Sequence, residues 1–400
     1  MIDGVARGLR AASCALALLA TSAVAAPDAA GAWRDAFQSS PADYDVATAA
    51  PPPVTGTLRS RFAVAVAGSR IRIRVSNEDG AEALAIAAAS VGKAAGAGFD
   101  AAPGTLKVLT FGGRRAIVAP PGAAVLSDPV DLPVAVGAAL VASIRAPAGV
   151  RLQPSGGVTM AAADGDQTLA DKLAGERRVA GRPPVSGASV LTRRPPRIIV
   201  ALGDSITDGN RSRPDQPRGW PEALDRRLAA RADGAPRAVV NAGIAGNRVL
   251  ATSWGDAALV RFDRDVARID GVSHVVILEG INDIGAGGND RPLETADLIA
   301  GYRQLIARAR ARGIKAVMGT LTPFAGSFYF SPAREAQRQA VNRWIRTSGE
   351  PDAVIDFDAA TRDPAAPGRL RPAYDCGDHL HPNAQGYRAM GDAIDLRLFD

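Results

Sequence analysis

The sequence predicts an α/β fold, a parallel sheet wrapped by helices over residues 197–400, preceded by an antiparallel β-sandwich over residues 55–150. Three observations carry this. From Arg197 onward, short apolar runs alternate with helical patterns, as in a parallel sheet covered on both faces. Between residues 55 and 150, short strand candidates are separated by regular turn residues, as in a sandwich. The first apolar run of the C-terminal half, Ile198–Leu202, has no polar alternation and is bounded by Pro195-Pro196 and Gly203. Such a run reads as a strand buried on both faces.

Length and composition bound the function. Four hundred residues leave room for two domains. Apolar content of 47% with 22% charged residues is globular and excludes wholesale disorder. The net charge of +6 is spread along the chain without a dense basic block. That argues against a nucleic-acid partner and leaves only unspecific attraction to acidic surfaces.

Taken in order, residues 1–25 read as a secretory signal: Arg7 and Arg10, an apolar run from Ala11 to Ala20, then Ala23-Val24-Ala25 as a small-x-small cleavage site. The expected location is secreted or periplasmic. The run is too short to span a bilayer, and no later stretch is long and apolar enough, so no stable membrane insertion is expected. Cys14 lacks the leucine three residues before it that a lipoprotein signal carries and would leave with the signal. Cys376 would then be the only thiol, with no intramolecular disulfide.

Residues 26–54, rich in Ala, Pro and Asp, read as a loosely ordered lead-in. In Arg70-Ile71-Arg72-Ile73-Arg74-Val75 the apolar and basic residues alternate, predicting a half-buried strand with a solvated charged face. Further strands are expected at Leu58–Val66, Leu84–Val91, Leu106–Phe111, Ala116–Val118, Ala124–Leu126 and Leu140–Ile144. Residues 151–196 read as a connector with one returning strand, Val185–Leu191. In the C-terminal half, strands are predicted at Ile198–Leu202, Ala238–Val240, His274–Leu278, Ala316–Met318 and Val354–Phe357. Helices are predicted at Trp220–Ala232, Ala257–Ile269, Thr295–Arg312, Pro332–Thr347 and Ala384–Leu398, with Gly313 and Gly349 as stop signals.

The chemistry centres on Gly203-Asp204-Ser205, which follows the first parallel strand. A serine there lies where open α/β sheets bind their ligands, although the same tripeptide also serves as an ordinary turn or helix cap. Thr207 stands where a Gly-x-Ser-x-Gly elbow would have its last glycine. A serine nucleophile needs a base and oxyanion donors. Of the three histidines, His274 opens an interior strand and reads as structural, whereas His379 and His381 lie in the loop before the last helix. Asp378, three residues before His381, can orient an imidazole in a turn or simply cap the following helix. Asn241–Asn247 follows the second strand and can offer a backbone N–H; Asn282 follows the third and can offer an amide. Together, four strand exits carry the set that acyl transfer requires.

These blocks resemble the SGNH (GDSL) hydrolase family. Gly203-Asp204-Ser205, Asn241 to Gly246, Gly280-Ile281-Asn282-Asp283 and Asp378-His379-Leu380-His381-Pro382 stand in the family's order, with Ile281 in place of a frequent second glycine. The run Glu279 to Gly285 resembles the secreted bacterial subgroup with an N-terminal β-domain. The resemblance implies a flavodoxin-like three-layer domain behind a jelly-roll-like sandwich. It implies Ser205 as nucleophile, His381 as base and Asp378 as its orienting carboxylate. It also implies an oxyanion hole made of Ser205 N–H, Gly246 N–H and the Asn282 side chain. The family spacing and Pro382 select His381 over His379, and the strand-end setting of Ser205 selects it over Cys376. No cofactor or metal is expected.

The expected activity is an exported serine esterase. Its substrate would be a small ester or an acylated polysaccharide, with short acyl groups such as acetyl favoured because no lid-like apolar helix is evident. The alternatives are a lipase or lysophospholipase, an O-acyltransferase using the same residues, and a non-catalytic carbohydrate-binding protein. The intact four-block set weighs against the last.

Overall fold

The computed structural model describes residues 31–42, 52–152, 159–210, 219–231, 236–287 and 293–400. The expected signal segment lies outside the described residues.

Five parallel strands form the centre of the C-terminal half. In chain order they are Arg197–Gly203, Arg237–Gly243, Val272–Leu278, Lys315–Gly319 and Ala353–Ile355. In space the first lies between the second and third, giving the order 2-1-3-4-5. This is the flavodoxin-like winding, and its ligand crevice opens at the carboxyl ends beside the first strand. Ile198 to Leu202 are buried, as an unalternating run on a doubly covered sheet must be. Helices Gly219–Ala229, Thr295–Ala311 and Pro332–Thr347 occur where the 3.6-residue pattern places them, whereas the helix expected over Ala384–Leu398 stops at Asp392 and is followed by a separate 3-10 turn, Leu396–Phe399. The predicted helix Ala257–Ile269 is α-helical over Ala258–Phe262 and continues as one π turn over Asp263–Ala267.

The N-terminal half is a sandwich of two antiparallel sheets. One orders Ala32–Gln38, Val185–Thr192, Gly68–Asn77 and Ala123–Leu126 side by side, with Val130–Val134 also on Gly68–Asn77. The other runs Arg177–Ala180, Thr159–Ala163, Val54–Ala63, Ala139–Val150, Ala88–Lys93 and Lys107–Val108. Phe37 of the first sheet stacks on Phe62 of the second, with ring centroids 4.4 Å apart.

Three expectations need correction. The lead-in is not wholly loose, because Ala32–Gln38 is a strand of the sandwich. Its polar residues hid it: Asp35 accepts from Ser189 Oγ and from the Asp270 N–H, and Gln38 donates to the Asp265 carbonyl. Residues 151–196 are not a connector with one strand, since Thr159–Ala163 and Arg177–Ala180 add two more. An alanine run and an arginine-rich edge carry little β signal. The arginine face of Gly68–Asn77 is not simply solvated: Arg72 lies 4.5 Å from the Trp33 ring centroid and 3.6 Å from Asp270 of the α/β half. Residues 31–400 accordingly form a single unit.

Candidate active site

The first parallel strand ends at Gly203, and the chain turns into the short helix Ser205–Asp208. Asp204 caps that helix, its carboxylate accepting the Ile206 N–H at 2.9 Å. Ser205 therefore stands at the carboxyl end of the strand, the position that the fold reserves for ligands.

The loop before the last helix meets it. Asp378 Oδ1 accepts the backbone N–H groups of Leu380 at 3.0 Å and His381 at 2.8 Å, which fold the loop back on its own carboxylate. Asp378 Oδ2 lies 2.8 Å from His381 Nδ1, and His381 Nε2 lies 2.8 Å from Ser205 Oγ. Burial pushes the Asp378 carboxyl up, but the N–H and ring of His381, with the Leu380 N–H, outweigh it and hold it at about 2. An ionised carboxylate at Nδ1 keeps the proton there, so Nε2 is left to accept from the serine hydroxyl. The helix-capping alternative for Asp378 is not used: Asn383 caps Ala384–Asp392, accepting from Gln385 and Gly386.

The neighbouring histidine goes elsewhere. His379 has a left-handed backbone, φ +61°, unusual for a residue with a side chain. That turn sends its ring to Asp375, 2.5 Å from Nδ1 to Oδ2, while His381 faces Ser205. His274 is buried, bonded to Ser273 and edge-on to Phe399; burial, then Lys315 and Arg197, lowers its pKa to about 4. Asp375, Cys376 and Asp378 bring ligand-type atoms within 4.8 Å of one another. Two of the three are already committed to histidines, so they do not form a ready metal site.

The exits of the second and third strands converge as well. Ile244 N–H donates to the Gly203 carbonyl at 2.9 Å, tying the second exit to the first. Gly246 has φ +78°, and a Cβ there would stand 2.9 Å from the Trp254 indole. Both backbone angle and space therefore require glycine at this turn. Asn282 Nδ2 donates to the Asn247 carbonyl at 2.8 Å, which brings the third exit against the second.

Sequence reasoning missed Arg261. Its guanidinium is fully buried and donates to Gly203 O at 3.1 Å, to Ala242 O and to Asn247 Oδ1 at 2.8 Å. It also pairs with Asp265 at 3.0 Å and lies 3.6 Å from Glu279. One side chain thus holds together the exits of three parallel strands. Around it, burial raises Asp204 to about 7, Asp283 to about 6, and Glu279 well above the usual carboxyl range. A buried, multiply bonded arginine reads in sequence as one more surface charge, so no local signal marked it.

The fold and this arrangement define a class: an α/β protein with a hydrogen-bonded Asp378–His381–Ser205 chain at the switch point of a parallel sheet. Residues 201–389 match the sequence profile of the GDSL-like Lipase/Acylhydrolase family. The C-terminal half is a domain of that family, and the protein is a GDSL-type carboxylic ester hydrolase. No curated protein matches the chain in sequence. Among solved structures, the chain is similar to an acetylxylan esterase from Geobacillus stearothermophilus at 23% identity and TM-score 0.39, covering 50% of this chain and 93% of that one. It is also similar to a GDSL-like lipase from Bacteroides thetaiotaomicron at 21% identity and TM-score 0.37, covering 51% and 88%.

Proposed function

We propose that the protein is an exported serine esterase that removes short acyl groups, acetyl first among them, from an alcohol or an acylated polysaccharide. Ser205 attacks the ester carbonyl. His381 takes its proton and returns it to the leaving alcohol, and Asp378 orients the ring and stabilises its charged form. The Ser205 and Gly246 N–H groups and the Asn282 amide receive the oxyanion. Water then attacks the acyl-enzyme by the same route in reverse. The observation that carries this reading is the unbroken pair of 2.8 Å contacts from Asp378 through His381 to Ser205.

For the substrate, support comes from the rim. Trp254 lies against Gly246 and is 40% exposed, while Phe328, 75% exposed, lies tilted against the Tyr329 that bonds Asn282, ring centroids 4.2 Å apart. Exposed rings flanking a polar site suit the flat face of a sugar or another non-acyl moiety. Among the described residues, no helix is long and apolar enough to cross a membrane. Export rests on the pattern of residues 1–25. It predicts a mature protein beginning at Ala26, read by N-terminal sequencing of the product from cells.

The test is a p-nitrophenyl ester series from acetate to dodecanoate with Ser205→Ala as the blank. The expected result is a sharp fall beyond butyrate. Rising activity with chain length would move the reading to a lipase whose aromatic rim holds the acyl chain. Near-wild-type turnover in Ser205→Ala or His381→Ala would end the mechanism itself. Acyl transfer to an added acceptor sugar in preference to water would make the enzyme an acyltransferase.

A further inference from the structure

The loop that follows the fourth parallel strand, residues 320–331, carries none of the motif residues, yet it reaches the reaction centre through one side chain. Tyr329 Oη donates to Asn282 Oδ1 at 3.0 Å. At the other end of the same amide, Nδ2 donates one hydrogen to the Asn247 carbonyl at 2.8 Å. A side-chain amide has two donor hydrogens and a broad final torsion. Holding both its oxygen and one of its hydrogens leaves the second hydrogen a single direction.

A second observation, independent of that bond, concerns Gly285. It sits in the helix Ile281–Ala286, three residues after Asn282 and hence on the same face. A Cβ on Gly285 would stand 2.4 Å from Cγ and Cδ2 of the Tyr329 ring. Glycine inside a helix is ordinarily less favourable than alanine. Here it leaves the gap in which the phenol ring is seated. The loop is braced to keep it there: the Tyr329 N–H donates to Ser327 Oγ at 3.3 Å, and Arg334 donates to the Tyr329 carbonyl at 3.0 Å. Burial lifts the phenol above its ordinary range, with Arg248 opposing and Asp204 adding, so the hydroxyl keeps its proton at neutral pH.

We propose that Tyr329, seated on Gly285, is a positioning residue that aims the free N–H of Asn282 at the developing oxyanion. The inference rests on the reading of Asn282 as an oxyanion donor, so the experiment separates the two. Steady-state kinetics on p-nitrophenyl acetate, with thermal melts, compare Tyr329→Phe, Gly285→Ala, Asn282→Ala and the Tyr329→Phe/Asn282→Ala double variant. Asn282→Ala should lose about 10²–10³-fold in kcat. Tyr329→Phe should lose about tenfold in kcat, the scale of one hydrogen bond, with KM nearly unchanged. Gly285→Ala should lose at least as much, because the added methyl displaces the ring. In the Asn282→Ala background, Tyr329→Phe should cost nothing further, since there is no amide left to aim.

A merely structural tyrosine would instead cost the same in both backgrounds. That result, or an unchanged kcat in folded Tyr329→Phe, overturns the positioning role and leaves Asn282 standing as donor. Should Asn282→Ala retain wild-type kcat, the donor reading fails and the positioning role falls with it.

Discussion

Two histidines two residues apart show what a side-chain environment decides. His379 and His381 share one loop, and only the left-handed turn at His379 sorts them, one to Asp375 and the other to Ser205. Three of the four blocks were legible because Ser205, Gly246 and Asn282 each lie within a few residues of a strand exit. Asp378, well past the last parallel strand, was legible through its spacing instead: three residues suffice for a carboxylate to bond both the N–H and the ring of His381. Its pKa is depressed to about 2 from an unfolded value near 3.9, so what it contributes to stability is present above about pH 4 and lost as pH falls through about 2. It is therefore ionised wherever the enzyme works. Asp378→Asn, which cannot stabilise the charged ring, should lower kcat about 10²–10⁴-fold at pH 7. A carboxyl titrating between pH 4 and 6 in the wild-type rate profile, and vanishing in this variant, would contradict the assignment.

The elements of the parallel sheet were read nearly to their ends, with Pro332–Thr347 matching at both. The last predicted strand, Val354–Phe357, ends instead at Ile355, and Phe357 opens a helix capped by Asp356. What sequence could not show is how the elements are tied at their exits. Asp283 follows the third strand, and its carboxylate accepts the N–H groups of Val249 at 2.9 Å and Leu250 at 3.0 Å beyond the second. Burial raises it to about 6 against an unfolded value near 3.9. The folded state therefore binds the proton more tightly. Its stabilising share is complete below about pH 4 and is lost as pH rises through about 6. Asp283→Asn removes that titration. The drop in Tm between pH 5 and pH 7 should be smaller in the variant than in the wild type. Equal slopes in the two proteins would show that another group carries the dependence.

Across the whole molecule, the N-terminal sandwich supports the site rather than standing apart from it. Arg182 leaves the sandwich and, almost fully buried, bonds Asp208 at 3.0 Å, the Gly243 carbonyl at 3.0 Å and the Ser40 carbonyl at 3.2 Å. Asp208 ends the helix that Ser205 begins, and Gly243 ends the second parallel strand. Arg264 reinforces the junction from the other side, reaching Asp79 at 3.1 Å and the Pro41 carbonyl at 3.1 Å. Removing one partner of such a buried pair strands the other charge, at about 3–5 kcal/mol. Arg182→Met should thus lower stability by about that amount in denaturant melts and lower kcat as well. Adding Asp208→Asn should restore part of the stability, because the stranded carboxylate is gone. An Arg182→Met protein with wild-type stability and turnover would make the sandwich a separable attachment.

The sequence by itself determined the alternation of strands and helices and the blocks that carry Ser205, Asn282, Asp378 and His381, because periodicity and turn chemistry act over a few residues. Tertiary structure alone decided which buried polar groups share a partner. Arg261 joins three strand exits, Arg182 joins the sandwich to the helix Ser205–Asp208, and Tyr329 meets an amide 47 residues away across the space left by Gly285. A charged or hydroxyl side chain is costly to bury until its partners are in place. Those partners come from distant segments, so neither composition nor spacing records them.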